Sequence, residues 1–319
     1  MITRRQLGLA ASATLLAGHA RADAPPFPAA GPRDWAKEIP TLRVGVLGGE
    51  NEADRLGRFG PYAKLLEETF KVPVKLYQAA DYAGVIQAFG AKQIDISGMS
   101  PATYAAAWIE SKGNVEPLCV TQEVDGSTSY VSVMVVRTDS GITNLEQMKG
   151  KALAYADPNS ASGYLIPSFE LKQGGIDMEP GKYFSRTGFA GGHEQAVVAV
   201  LQKQYDASCT WTSGIGDPAT GYTRGNLHEM YAKKMIQPGE LKIIWRSRPI
   251  LNGPMTARSD TPVSFRNDIR DFHLALYKTH PDIYAAIERG GGIGYAPVKA
   301  EDYQLFIDIT LANKAGRRG

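Results

Sequence analysis

The chain has 319 residues, 43% hydrophobic and 21% charged, with 35 basic against 33 acidic residues and a net charge of +2. That length is enough for two compact lobes. The near balance of charge argues against a partner held by bulk charge, such as nucleic acid or a membrane surface.

At the N-terminus, Thr3-Arg4-Arg5-Gln6-Leu7 is a twin-arginine pattern, a mild apolar run follows to Ala17, and Ala20-Arg21-Ala22 fits a small-x-small cleavage site. The expectation is a Tat export signal over 1–22, cut after Ala22 and destined for the periplasm, because the apolar run is too short to span a bilayer. Loss of Arg4, Arg5 and Arg21 would take the net charge to −1. Residues 23–40, rich in Pro and Ala, read as a flexible leader.

Further along, strands and helices alternate. Residues 41–47 and 72–77 read as strands. Between them, Phe59, Tyr62, Leu65, Leu66 and Phe70 carry the spacing of a helix face. A helix follows over 81–91, a strand over 94–97 and a helix over 101–109. Such alternation predicts mostly parallel sheets with both faces covered. The apolar run Ala152-Leu153-Ala154-Tyr155-Ala156 is a further strand, followed by Asp157-Pro158-Asn159-Ser160-Ala161-Ser162-Gly163 and then helical spacing from Tyr164. A helix therefore begins near Ser162 or Gly163. Its free N–H groups, its dipole and the Ser160 and Ser162 hydroxyls form an anion cradle, and Gly163 allows a ligand close to the backbone. The plainer reading makes one serine a simple N-cap. A helix–strand unit spans 191–212, and closing helices span 264–278 and 300–311.

Five tags in this order resemble the periplasmic substrate-binding proteins of phosphonate and phosphite ABC transporters. They are Asp81-Tyr82-Ala83-Gly84-Val85-Ile86, Asp95-Ile96-Ser97-Gly98-Met99-Ser100-Pro101-Ala102, Asp125-Gly126-Ser127-Thr128-Ser129-Tyr130, the 157–167 segment and Gly192-His193-Glu194. The resemblance runs from about Leu42 to Asp302. It implies an α/β fold of two lobes, type II in its class, with each lobe a mostly parallel sheet covered by helices. Lobe one would hold 41–131 and 250–319, lobe two 132–249, joined by crossing strands near 130–136 and 243–250.

The resemblance also implies a ligand-binding set: Tyr82, Tyr130, Ser160, Ser162, Gly163 and His193, with Trp211 and Ser213 at the pocket's far end. Ala161 stands where a hydroxyl residue is often found. Relatives that take aminoethylphosphonate grip its ammonium with acidic residues at places corresponding here to Ser213 and to Leu251-Asn252-Gly253-Pro254, neither acidic. A buried ammonium without a carboxylate is costly, so the expected ligand is phosphite or methylphosphonate. The implied partner is an inner-membrane ABC permease, with the binding protein a monomer. The alternative is a sensor on the same fold that binds arsenite through Cys119 or Cys209 and signals to a histidine kinase. The two cysteines, assigned to different lobes, read as free thiols rather than a disulfide. No nucleophile elbow or metal-ligand spacing is present, so no catalysis, metal or cofactor is expected.

Overall fold

The computed structural model describes residues 25–48, 52–177 and 181–316; the expected export signal lies outside them. Two six-stranded sheets organise the chain. The first contains β1 (Leu42–Val46), β2 (Val74–Gln78), β3 (Ile96–Gly98), β4 (Glu116–Gln122), β11 (Pro254–Ala257) and β12 (Gly294–Pro297), in the order β12-β4-β11-β3-β1-β2. The second contains β5 (Ser129–Arg137), β6 (Ala152–Tyr155), β7 (Arg186–Phe189), β8 (Ala207–Thr212), β9 (Leu241–Arg246) and β10 (Ile250–Leu251). Its order is β10-β5-β8-β6-β7, with β9 also on β5.

The two-lobed α/β architecture is as the sequence implies, but the sheets are mixed rather than mostly parallel. β1 pairs in parallel with β2 and β3, and β6 with β7 and β8. The pairs made by β4, β5 and β11 are antiparallel. The parallel pairs join strands linked through a helix, as right-handed βαβ units require. The antiparallel ones arise where the chain leaves one sheet for the other and returns.

β5 and β9 lie wholly within the second sheet. The passages between sheets are therefore the short segments 123–128 and 252–253, rather than the strands expected near 130–136 and 243–250.

Helices α1 (Glu52–Phe70), α2 (Tyr82–Gly90), α3 (Pro101–Glu110), α7 (Val263–Thr279), α8 (Pro281–Glu288) and α9 (Gln304–Gly316) accompany the first sheet. α4 (Ile166–Gln173), α5 (His193–Leu201) and α6 (Asn226–Ala232) accompany the second. Capping fixes several starts: the Asp81 side chain accepts from the Gly84 N–H (2.9 Å), and Ser100 Oγ from the Thr103 N–H (3.1 Å). Residues 25–40, expected to trail, are packed. Trp35 is buried between Phe70 and Phe265, its Nε1–H donates to Asp268 Oδ2 (2.8 Å), and Phe27 meets Phe272.

Among the described residues no helix is long and apolar enough to cross a membrane. Cys119 and Cys209 are free and fully buried, in separate hydrophobic clusters on β4 and β8.

Candidate functional site

A cleft of about 200 Å³ lies at the carboxyl ends of β1 and β3, where the second sheet's helices face the first. Open α/β sheets place ligands at such strand ends. Four helix N-termini meet there: α2 at Tyr82, α3 at Ser100 and Pro101, the 161–165 turn at Ser162, and α5 at His193. Each terminus carries a partial positive charge of about 0.5 e, and side-chain caps hold the Gly84, Thr103 and Gly163 N–H groups.

The 161–165 turn is a π turn that runs into α4. Its i+5 bond joins the Leu165 N–H to Ser160 O (3.0 Å), and Ser160 Oγ accepts from the Gly163 N–H (3.0 Å). Ser160 is thus an N-cap and also a contact of His193, whose Nε2 lies 3.0 Å from Ser160 Oγ. The room a Cβ would need at Gly163 is taken by Ala156, Ser160 Oγ and the His193 ring. Glycine here serves the packing of the cradle itself. Tyr130 is buried and hydrogen-bonded with the Ser162 side chain, and burial pushes its phenol up to about 12, so it enters the cleft as a neutral hydroxyl.

Beside the cradle lies a buried charge network that inspection of the sequence missed. Arg224, between β8 and α6, forms an ion pair with Glu123, and Arg224 Nε donates to both Glu123 oxygens (3.1 and 3.3 Å). The Asn252 side-chain amide donates to Glu123 Oε1 (3.0 Å) and to Thr121 O (3.0 Å), while its Oδ1 accepts from Arg224 Nη2 (3.0 Å). Glu288 accepts from the hydroxyls of Thr121 (2.7 Å) and Tyr295 (2.5 Å), and pairs with Arg224 at 3.4 Å. Burial alone would favour a neutral Arg224; the Glu123 carboxylate outweighs it and holds the guanidinium charged. The guanidinium also lies 5.1 Å from the Trp211 ring, and Trp211 meets Tyr130 edge-on at 5.8 Å.

The family profile for the periplasmic substrate-binding protein of phosphonate ABC transporters matches residues 44–303. The chain belongs to that family. The phosphonates-binding periplasmic protein of Escherichia coli K12 is 32% identical over 270 residues, 83% of this chain and 73% of the relative. The phosphate-import protein PhnD of Mycolicibacterium smegmatis is 27% identical, over 69% of this chain and 66% of its own. In fold, the chain is similar to PhnD1 of Prochlorococcus marinus solved with methylphosphonate (TM-score 0.71, 18% identity, 86% of this chain and 98% of that one). A phosphonate transporter's binding component implies a small-molecule ligand, a membrane permease as partner and a periplasmic address; it is a transport protein, not an enzyme.

Within this phosphonate-binding protein, Tyr82, Tyr130, Ser162, His193 and Trp211 all line the cleft, with Ser160 and Gly163 directly behind. Ser213 is not in the lining; its hydroxyl lies 2.8 Å from that of Thr223 in a buried turn. Cys119 and Cys209 do not reach the cleft either. Burial raises both thiols, Cys119 well above its ordinary value, which disfavours the thiolate that soft ligands need.

Burial, with a lesser push from the Arg289 charge, lowers the His193 imidazole to about 3. Burial lowers His273, at the first sheet's core, to about 4. Both are then neutral when folded but gain a proton below about pH 6.5 when unfolded. Stability from these groups is full above that pH and is lost as pH falls towards 4. Thermal melts of ligand-free protein should show Tm falling over that window, with a shallower fall in His193→Gln and His273→Gln.

Proposed function

We propose that the protein captures a small phosphorus oxyanion, phosphite or a simple alkylphosphonate such as methylphosphonate, between two lobes for ABC import. Lobe one takes 41–122 and 254–319 and lobe two 129–251, with the passages 123–128 and 252–253 between them, a few residues from the boundaries expected at 131/132 and 249/250. The observation that carries the reading is the convergence of four helix N-termini on one cleft, together with the Ser162, Tyr130 and neutral His193 side chains. Their N–H and O–H groups suit phosphonate oxygens. Leu47, Phe59, Met99, Met255 and Ile287 on the wall suit a small apolar substituent, and the wall also carries Arg58, Arg224, Glu288 and Arg289. Binding would favour the closed form, which docks on the permease. Export uses the Tat signal, cut after Ala22, and the mature protein acts as a monomer.

Glu288 is a carboxylate on the cleft wall that was not expected there, so aminoethylphosphonate is a necessary competitor in the test. Three donors already address Glu288, which leaves it poorly placed to hold an ammonium. Calorimetric titration of the mature protein with phosphite, methylphosphonate, aminoethylphosphonate, phosphate and arsenite decides the matter. Phosphite or methylphosphonate should bind tightest. Ser162→Ala and His193→Ala should each weaken binding by about 10- to 100-fold, the size of a lost hydrogen bond to a charged group. Tight aminoethylphosphonate binding that fails in Glu288→Gln would replace this reading. Arsenite binding lost in Cys119→Ser or Cys209→Ser would establish the sensor alternative, which the buried, separated thiols disfavour.

A further inference from the structure

Behind His193 runs a chain of buried polar groups, each with a defined direction. Asn226, at the first position of α6, directs its side-chain nitrogen at Thr210 Oγ1 (3.0 Å) and at Met230 Sδ (3.3 Å). A thioether sulfur can only accept, so the amide group facing it is the NH2. Asn226 therefore donates to Thr210. The Thr210 hydroxyl lies 3.3 Å from His193 Nδ1. With its oxygen accepting from Asn226, Thr210 has its own proton to give to Nδ1. An imidazole that accepts at Nδ1 carries its proton on Nε2. That Nε2 lies at the cleft, beside Ser160 Oγ. Asn226, Thr210, His193 and Ser160 are all buried.

We propose that Thr210 and Asn226 are positioning residues that hold His193 in its Nε2–H tautomer, so that the cradle meets its ligand with a donor rather than a lone pair. The inference rests on the anion-binding reading of the cleft for its consequence, but not for its geometry. It adds direction to the site: with Nδ1–H instead, the Nε2 lone pair would face an anion's oxygens and repel them. Ser160 fits the same scheme. In the ligand-free cleft its oxygen accepts from the Gly163 N–H and from Nε2–H, and a ligand oxygen would take over the Nε2–H bond from Ser160.

Protein labelled with 15N-histidine provides the test through long-range 1H–15N correlation at pH 7, with His193→Gln assigning the signal. Ligand-free wild type should show His193 protonated on Nε2 and bare on Nδ1. Thr210→Val, which keeps shape but removes the donor, should shift His193 towards Nδ1–H and raise the methylphosphonate Kd by about 10-fold or more. Thr210→Ser should restore both. A wild-type His193 protonated on Nδ1 overturns the proposal, as does an unchanged tautomer in a folded Thr210→Val. If methylphosphonate fails to bind wild type, the ligand reading falls, while the tautomer signals still decide this one.

Discussion

Replacing Arg224 by methionine should lower unfolding stability by about 3–5 kcal/mol, the usual loss when one partner of a buried ion pair is removed. Methionine fills similar space, so the loss is electrostatic. It leaves the Glu123 carboxylate, with 0% exposure, held among the described residues by the Asn252 amide alone. An unpaired buried carboxylate is costly, and that cost is the source of the penalty. Adding Glu123→Gln should recover more than half of the loss, because the buried charge disappears while the Asn252 contact survives.

These residues also occupy both passages between the sheets. Glu123 opens the 123–128 segment, Asn252 opens the 252–253 segment, and Arg224 joins them from the second lobe. Uncoupling them should loosen the cleft as well as the fold, visible as an increase in solution radius of gyration in the single variant. Denaturant melts of the two single variants and the double complete the cycle. A loss below about 1 kcal/mol, or no recovery in the double, would show that the pair does not brace the passages.

The parts of this protein that were legible in its sequence are those encoded locally. The runs at 42–46 and 152–155, the helix starts near Ser162 and His193, and the spacing of Tyr62, Leu66 and Phe70 each carry their signal within a few residues. The helix start on which the proposed anion cradle rests belongs to this class, because a helix N-terminus is a short-range feature. The mixed sheets were not legible: nothing near β11 shows that it pairs antiparallel with both β3 and β4. The Arg224 network escaped for the same reason. Arg224, Glu123 and Glu288 come from segments about 60 to 165 positions apart, and each alone reads as a surface charge. The faint sequence signal was Asn252, already singled out as a place where an acid is absent. Its neutral amide is explained by the carboxylate it touches, since a second acid beside Glu123 would repel it.

Gly163→Ala should abolish most ligand binding while leaving the protein folded. An added Cβ would lie 2.5 Å from Ala156 Cβ, 2.9 Å from Ser160 Oγ and 3.0 Å from His193 Cε1. Ala156 sits at the end of β6 and is held by the Gly191 N–H and by Gly163 O, so it cannot retreat. The strain must be relieved by Ser160 and His193, the groups that hold the cradle's shape. Overpacking of this kind costs about 1–3 kcal/mol. A ring displaced by a few tenths of an ångström no longer aims Nε2 at the ligand, so the methylphosphonate Kd should rise by about 100-fold. Gly57→Ala, in α1 with open space around its Cβ position, is the matched control. It should leave binding unchanged and raise stability by about 0.5–1 kcal/mol, since glycine is the weaker helix former. If Gly163→Ala binds as wild type does, the tight contact between the π turn and His193 is not what shapes the cradle, and backbone N–H groups alone carry the affinity.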